Sequence, residues 1–203
     1  IMAEVRFWWI RHAPVVGNDG RCYGVNDVDC DVSEKNKFIK LAKLLPKNSS
    51  VYSSHLLRTI KTFRATEKQG FRYLSYEIDK NFAEQDLGLY AGLKYEDLDI
   101  KTKELGVYHS SWLCALDHKP PKGESYNTLY LRVVKGIKNI IKNKSNSDFV
   151  IFSHGGPIRA AISYALTNLP ETSMPFLIDN ISLTRIDFID DMWQIKFVNF
   201  MPS

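Results

Sequence analysis

The stretch Val5-Arg6-Phe7-Trp8-Trp9-Ile10-Arg11-His12-Ala13-Pro14 decides how this chain of 203 residues is read. It opens as an apolar run of β-formers with little polar alternation, which predicts a strand buried on both faces. The run stops at Arg11-His12, and Pro14 ends the strand just beyond. A cation and an imidazole therefore stand at the carboxyl end of a central strand. That is the edge at which open α/β sheets bind ligands.

Two further junctions of the same kind lie outward from it. Residues Ser50 to Ser53 read as a short strand running into Ser54-His55. A helix from Leu56 to about Lys68 follows, with Gly70 as its stop and Arg58 in its first turn. Residues Asp148 to Phe152 read as another buried strand, running into Ser153-His154-Gly155-Gly156-Pro157. A helix is expected from Ile158 to about Leu166, with Pro157 suited to its first turn.

The remaining segments connect these units. Val15 to Val32 is a long loop rich in Gly, Asn and Asp, and long loops in compact domains are often functional. A helix opens at Ser33-Glu34, runs through Leu45 and stops at Pro46. Glu77 to Asp86 is less regular and carries Glu84 on an exposed connection. Asp97 to Asp117 holds one or two short helices, with Trp112 and Leu116 facing inward. Pro120-Pro121-Lys122-Gly123 is a loop, and Glu124 to Lys142 a long amphipathic helix. Ile181 to Phe188 and Trp193 to Val198 alternate around Asp190-Asp191 as a closing β-hairpin. The pattern predicts an α/β fold: a single three-layer α/β/α domain over residues 1–203, its central sheet mostly parallel with a C-terminal β-hairpin. Residues 75–125 form a helical and loop insertion carrying Glu84.

Composition narrows the function. Hydrophobic residues make up 44% and charged residues 25%, as in an ordinary globule. The net charge of +4 favours an anionic small molecule. Lys138, Lys142 and Lys144 are read as a solvated helix end, so no nucleic acid is expected. Cys22, Cys30 and Cys114 have no metal-like spacing and suggest a reduced compartment. Neither a signal peptide nor an apolar run of the ~18 residues a membrane span needs is apparent, so the expected location is cytoplasmic.

Parallel strands place their ends along one edge, so Arg11, His12, Arg58 and His154 should converge, with Glu84 a neighbour from its loop. Guanidinium groups fit phosphate oxygens in bidentate fashion. A neutral histidine can attack phosphorus, and a carboxyl can protonate a leaving oxygen. No cluster of ligands suggests a metal or other cofactor. His55, His109 and His118, and the indoles Trp8, Trp9 and Trp112, are assigned structural places. The His154-Gly155-Gly156 run is shared with esterase oxyanion loops, but the chain lacks the Gly-x-Ser-x-Gly elbow such enzymes need.

Taken together, five elements in order resemble the histidine phosphatase superfamily, the phosphoglycerate mutase-like group. They are Arg11-His12; Ser54 through Thr62 around Arg58; Phe82-Ala83-Glu84 with Gly88 and Gly92; Gly123-Glu124-Ser125; and Ser153-His154-Gly155-Gly156. The resemblance implies a metal-independent phosphomonoesterase that hydrolyses a small phosphorylated metabolite. In that role His12 would be the nucleophile and carry the phosphoryl group. Arg11, Arg58 and His154 would bind its oxygens, Glu84 would be the general acid and then base, and the Gly155 N–H would add a hydrogen bond. Asn18 falls where family mutases often carry a phosphate-contacting Asn. The Cys22-Tyr23-Gly24 loop resembles that of the α-ribazole phosphatase and broad phosphomonoesterase branch, which makes Tyr23 and Gly24 substrate contacts; Ser125 is a further possible contact.

Two departures from the family pattern are visible. Ala13 stands where Gly is usual, and Tyr90-Ala91-Gly92 where Trp-Glu-Gly is common. The alternatives are a phosphoglycerate mutase-type phosphotransferase and a non-catalytic phospho-ligand binding module. Family mutases are usually longer, with extra segments that shield the phosphoenzyme from water. Hydrolysis is therefore the expected fate of a phosphohistidine here.

Overall fold

The computed structural model describes residues 4–143 and 147–202; Lys144 lies outside the described residues. Its centre is β1, Glu4–Arg11, hydrogen-bonded to parallel β4, Asp148–Ser153, on one side and to antiparallel β5, Leu183–Ile189, on the other. The full sheet has six strands in the order β3-β2-β4-β1-β5-β6, with β2 Ser50–Ser53, β3 Ser75–Ile78 and β6 Met192–Phe200. β3, β2, β4 and β1 pair in parallel, and β5-β6 is the expected antiparallel hairpin. Its turn residues Asp190 and Asp191 have φ of 48° and 62°, which Asp tolerates better than most side chains.

Two layers of helix cover the sheet. On one face α1, Lys35–Leu44, and α2, Leu57–Lys68, bury Phe38, Leu41 and Phe63 against Ile10, Val150 and Phe152. The other face carries α4, Tyr126–Lys142, and α5, Gly155–Leu166. From these Leu129, Val133, Ile137, Ile158 and Ile162 pack on Val5, Phe7, Trp9 and Ile151. A smaller helix, α3, Tyr95–Glu104, lies in the segment between β3 and α4.

Several elements differ from the sequence reading. β1 alternates: Val5, Phe7 and Trp9 are fully buried, whereas Arg6 and Trp8 on the opposite face are only partly covered. Asp148 holds both, accepting from Arg6 Nη2 at 2.6 Å and from Trp8 Nε1 at 2.9 Å. β3 falls partly in a stretch read as irregular; its Ser-Tyr-Glu-Ile sequence is mostly exposed, and its alternation spans only four residues, too few to mark a strand. α4 starts at Tyr126 because Ser125 is its N-cap, its hydroxyl accepting from Thr128 N at 3.2 Å. α5 starts at Gly155, three residues early. His154 is extended at the cap position, and the missing N–H of Pro157 falls in the first turn, where it has no carbonyl to bond.

Candidate active site

Strand register builds the site. β1 and β4 pair Arg11 with Ser153, and β2 and β4 pair Ser53 with Phe152. The residues just beyond, His12, Ser54 and His154, are thereby set side by side. The rings of His12 and His154 are 5.1 Å apart between centroids.

The hydrogen bonds of each histidine settle its tautomer. His12 Nδ1 lies 2.7 Å from the carbonyl oxygen of Ala13. A carbonyl only accepts, so Nδ1 carries the proton and Nε2 keeps its lone pair. The backbone there is pinned as well: Ala13 N–H donates to Thr62 Oγ1 at 2.8 Å, and Asn180 Nδ2 donates to the His12 carbonyl at 2.8 Å. His154 has the opposite tautomer. Its Nδ1 accepts from Arg58 Nε at 3.2 Å, so Nε2 holds the proton and donates to Ser54 Oγ at 2.8 Å. Both imidazoles are buried and both are held well below the ordinary pKa, first by desolvation and then by Arg58. Each is neutral near pH 7.

Beside the histidines opens a cavity of about 200 Å³. Arg11, Tyr23, Gly24, Glu84 and Gly155, all named from the sequence, line it together with Tyr95, Trp112 and Arg159. Arg11 donates Nη1 to the carbonyl of Ile178 at 2.5 Å, and among the described residues its buried Nε has no partner. Glu84 Oε1 accepts from Gln85 N at 3.0 Å, and Oε2 faces the N–H of Gly156 at 3.4 Å. That N–H belongs to the first turn of α5, where no intrahelical carbonyl is available and the helix dipole favours a negative charge. A Cβ at Gly156 would lie 2.3 Å from Glu84 Oε1, so the glycine leaves room for the carboxylate at this place.

The loop segment Phe82-Ala83-Glu84 is held from α4. Arg132 donates to the carbonyls of Asn81, Ala83 and Glu84 and pairs with Glu124 at 2.6 Å.

His12, His154 and Arg58 lie beside the cavity, behind the Tyr23-Gly24 loop. Arg58 is fully buried and donates to the carbonyls of Gly24 at 2.6 Å and Asn26 at 2.9 Å. Tyr23 stacks on its guanidinium at 4.9 Å and meets the His12 ring edge-on at 6.3 Å. Gly24 has φ of +47°, and a Cβ there would lie 2.7 Å from the Gln85 carbonyl, so only glycine lets the loop sit this close.

Some expectations are not met. Asn18 is not brought to the cavity; its amide closes a local turn, donating to the Arg21 carbonyl at 2.6 Å. Ser125 spends its hydroxyl capping α4. Trp112, assigned to the core, forms cavity wall while its Nε1 donates to Gln85 Oε1 at 2.8 Å. The sequence reading does not include Arg159 or Asn180. A signal existed for Arg159, one helical turn past Gly155 on α5; Asn180 lies in an irregular loop with none. Cys22, Cys30 and Cys114 are free and buried. Among the described residues no helix is long and apolar enough to cross a membrane.

A parallel sheet edge thus brings together Arg11-His12, the buried Arg58-His154 pair and the carboxylate of Glu84. Residues 7–201 match the family model of the histidine phosphatase superfamily (branch 1), and the chain belongs to that superfamily. It is 32% identical over 168 residues to phosphoserine phosphatase 1 of Hydrogenobacter thermophilus, covering 77% of this chain and 74% of that protein. It is 28% identical over 152 residues to a bifunctional protein of Mycobacterium tuberculosis, a match that takes in 74% of this chain but spans only 40% of that relative's length. In fold it is similar to an Escherichia coli protein described as a candidate alpha-ribazole-5'-phosphate phosphatase. That match has a TM-score of 0.81, 23% identity and 96% of each chain covered. It is likewise similar to a phosphoglycerate mutase of Bacillus anthracis, with a TM-score of 0.80, 19% identity, and 98% of this chain and 95% of that one covered. At these identities the two structures speak for the fold alone.

Proposed function

We propose that the protein is a metal-independent phosphomonoesterase that hydrolyses a small phosphorylated metabolite through a phosphohistidine on His12. The observation that carries this reading is the His12 tautomer. Proton on Nδ1, lone pair on Nε2 and a depressed pKa together make a neutral imidazole ready to attack phosphorus. Beside it the orphaned Nε of Arg11 is a donor without an acceptor, as expected of a group that meets a phosphoryl oxygen.

In the first step His12 Nε2 forms a bond to phosphorus as the bond to the substrate oxygen breaks. The Glu84 carboxyl gives its proton to the departing oxygen. Arg11, Arg58 and the Gly155 N–H stabilise the charge on the other oxygens. For Arg58 to do so, phosphoryl oxygens replace contacts it now makes to the Tyr23-Asn26 loop. His154 acts through Arg58, whose guanidinium it orients, because both of its ring nitrogens are already engaged. In the second step the Glu84 carboxylate takes a proton from water, which attacks phosphorus and frees His12.

A mutase shares the first step and differs in the acceptor, a substrate hydroxyl in place of water. The identity to phosphoserine phosphatase 1 favours water. The test is steady-state turnover of a phosphomonoester in EDTA, with the arginines supplying the positive charge. Inorganic phosphate should accumulate without bisphosphoglycerate. Interconversion of phosphoglycerates with little phosphate release would replace the hydrolase by the mutase. Activity lost in EDTA and restored by Mg²⁺ or Zn²⁺ would remove the metal-free mechanism.

A further inference from the structure

Three arginines surround the site, and among the described residues none of them forms an ion pair. Arg11 and Arg58 are absorbed by the phosphoryl group of the mechanism above. Arg159 is not. It donates Nε to the Phe176 carbonyl at 3.0 Å and Nη1 to the Gly155 carbonyl at 3.4 Å, both neutral acceptors. Its guanidinium lies over the Trp112 ring at 5.3 Å. Stacking of this kind fixes the plane of the group while leaving N–H groups at its edge free.

Charge and shape point the same way. With both histidines neutral, Arg11 and Arg159 line the cavity with one carboxylate, Glu84, and Arg58 lies buried beside it. When Glu84 is protonated as the acid, a phosphate dianion balances two of the three charges and leaves one cation over. Arg159 is half-buried and bonds only neutral carbonyls among the described residues, so an anionic group on the ligand would give it a charged partner. The Cβ that Gly155 lacks would sit 3.2 Å from Arg159 Nη1 and 3.9 Å from Arg11 Nε. The two groups therefore flank one small open space. Its volume, about 200 Å³ with Trp112, Tyr95 and Leu113 among its walls, is below the usual range for larger ligands.

We propose that Arg159 is a second anion subsite next to the phosphoryl pocket, and that the preferred substrate is a short phosphomonoester carrying a carboxylate. This rests on the phosphatase reading for its phosphoryl end, but the subsite is testable by binding alone. The probes are 3-phosphoglycerate and glycerol 3-phosphate, which differ by a carboxylate in place of a hydroxymethyl group. Affinities are measured by calorimetry on His12→Ala protein, which cannot turn them over, and kcat/KM for phosphate release on wild type.

The carboxylate should strengthen binding by about 10- to 100-fold, the range of a charge-assisted hydrogen-bonded pair. Arg159→Met should bring the two ligands to within about threefold of each other, and Arg159→Lys should retain part of the preference. Equal binding of the two probes to otherwise unaltered protein overturns the subsite, and that comparison does not depend on the Met variant folding. Equal weakening of both probes by Arg159→Met also overturns it, and makes Arg159 a phosphoryl ligand. Hydrolysis of para-nitrophenyl phosphate without carboxylate preference removes the subsite and keeps the hydrolase. Carboxylate-selective binding without phosphate release from any ester does the reverse.

Discussion

His12 works as a nucleophile only while Nε2 is unprotonated, and Glu84 works as an acid only if its carboxyl stays at the mouth of α5. The first condition is met by the Ala13 carbonyl and by burial beside Arg58 and Arg11. The second depends on the missing side chain of Gly156. Glu84→Gln should slow substrates with basic leaving groups by roughly 10²–10⁴-fold, the usual range for a general acid. The phosphorylation step with para-nitrophenyl phosphate, whose leaving group needs little help, should suffer far less. Burst kinetics isolate that step, and equal slowing of good and poor leaving groups would take Glu84 out of the acid role. Gly156→Ala should give the same leaving-group pattern in milder form by pushing the carboxylate aside. Arg11, His12, Glu84 and Gly155 were legible because each is a chemistry-bearing residue at the end of a recognisable strand or in a family motif. Trp112 and Asn180 were not, since their places arise from approaches between distant segments that no local pattern records; Arg159 is set by helical spacing from Gly155 on α5.

Among the elements, α4 matters to the site although it contributes no cavity wall. Arg132 gathers three carbonyls of one short segment, those of Asn81, Ala83 and Glu84, and locks them to Glu124. Both side chains of the pair are about one-fifth exposed or less, 20% and 17%, so solvent screens them only in part. Arg132→Met should lower unfolding free energy by about 2–3 kcal/mol, less than the loss of a fully buried pair. It should also lower kcat, because Glu84 loses its support. Urea denaturation and turnover measured together check both effects. Unchanged kcat in a destabilised but folded variant would show that Glu84 is positioned without Arg132. The helices were legible from their apolar periodicity and their Pro and Gly stops. The start of α5 was misplaced because Gly155 and Gly156 read as loop residues, whereas here they let the helix begin against Glu84 and Arg159. β3 is not legible because four mostly exposed residues give too short an alternation to mark a strand.

At the scale of the whole molecule, parallel pairing of β2, β4 and β1 brings three strand ends together, and burial of their histidines links activity to stability. The unfolded chain takes up protons on histidine near pH 6.5, while His12 and His154 in the fold resist protonation to well below that value. Their contribution is therefore full above about pH 6.5 and is lost as pH falls from there toward their depressed folded values. Unfolding free energy should drop by about 1.4 kcal/mol per pH unit for each histidine in that window. Chemical denaturation at steps from pH 7.5 to pH 5 reads the slope, and His12→Gln should remove one proton's worth of it; a flat profile would contradict the neutral, buried pair. The central claim is the phosphohistidine, and covalent trapping tests it most directly. Protein is mixed with ³²P-labelled substrate in EDTA, quenched in denaturant and mapped by peptide. The account predicts acid-labile, alkali-stable phosphate on His12 and none in His12→Ala. Label on another residue, or label that persists in His12→Ala, would contradict it.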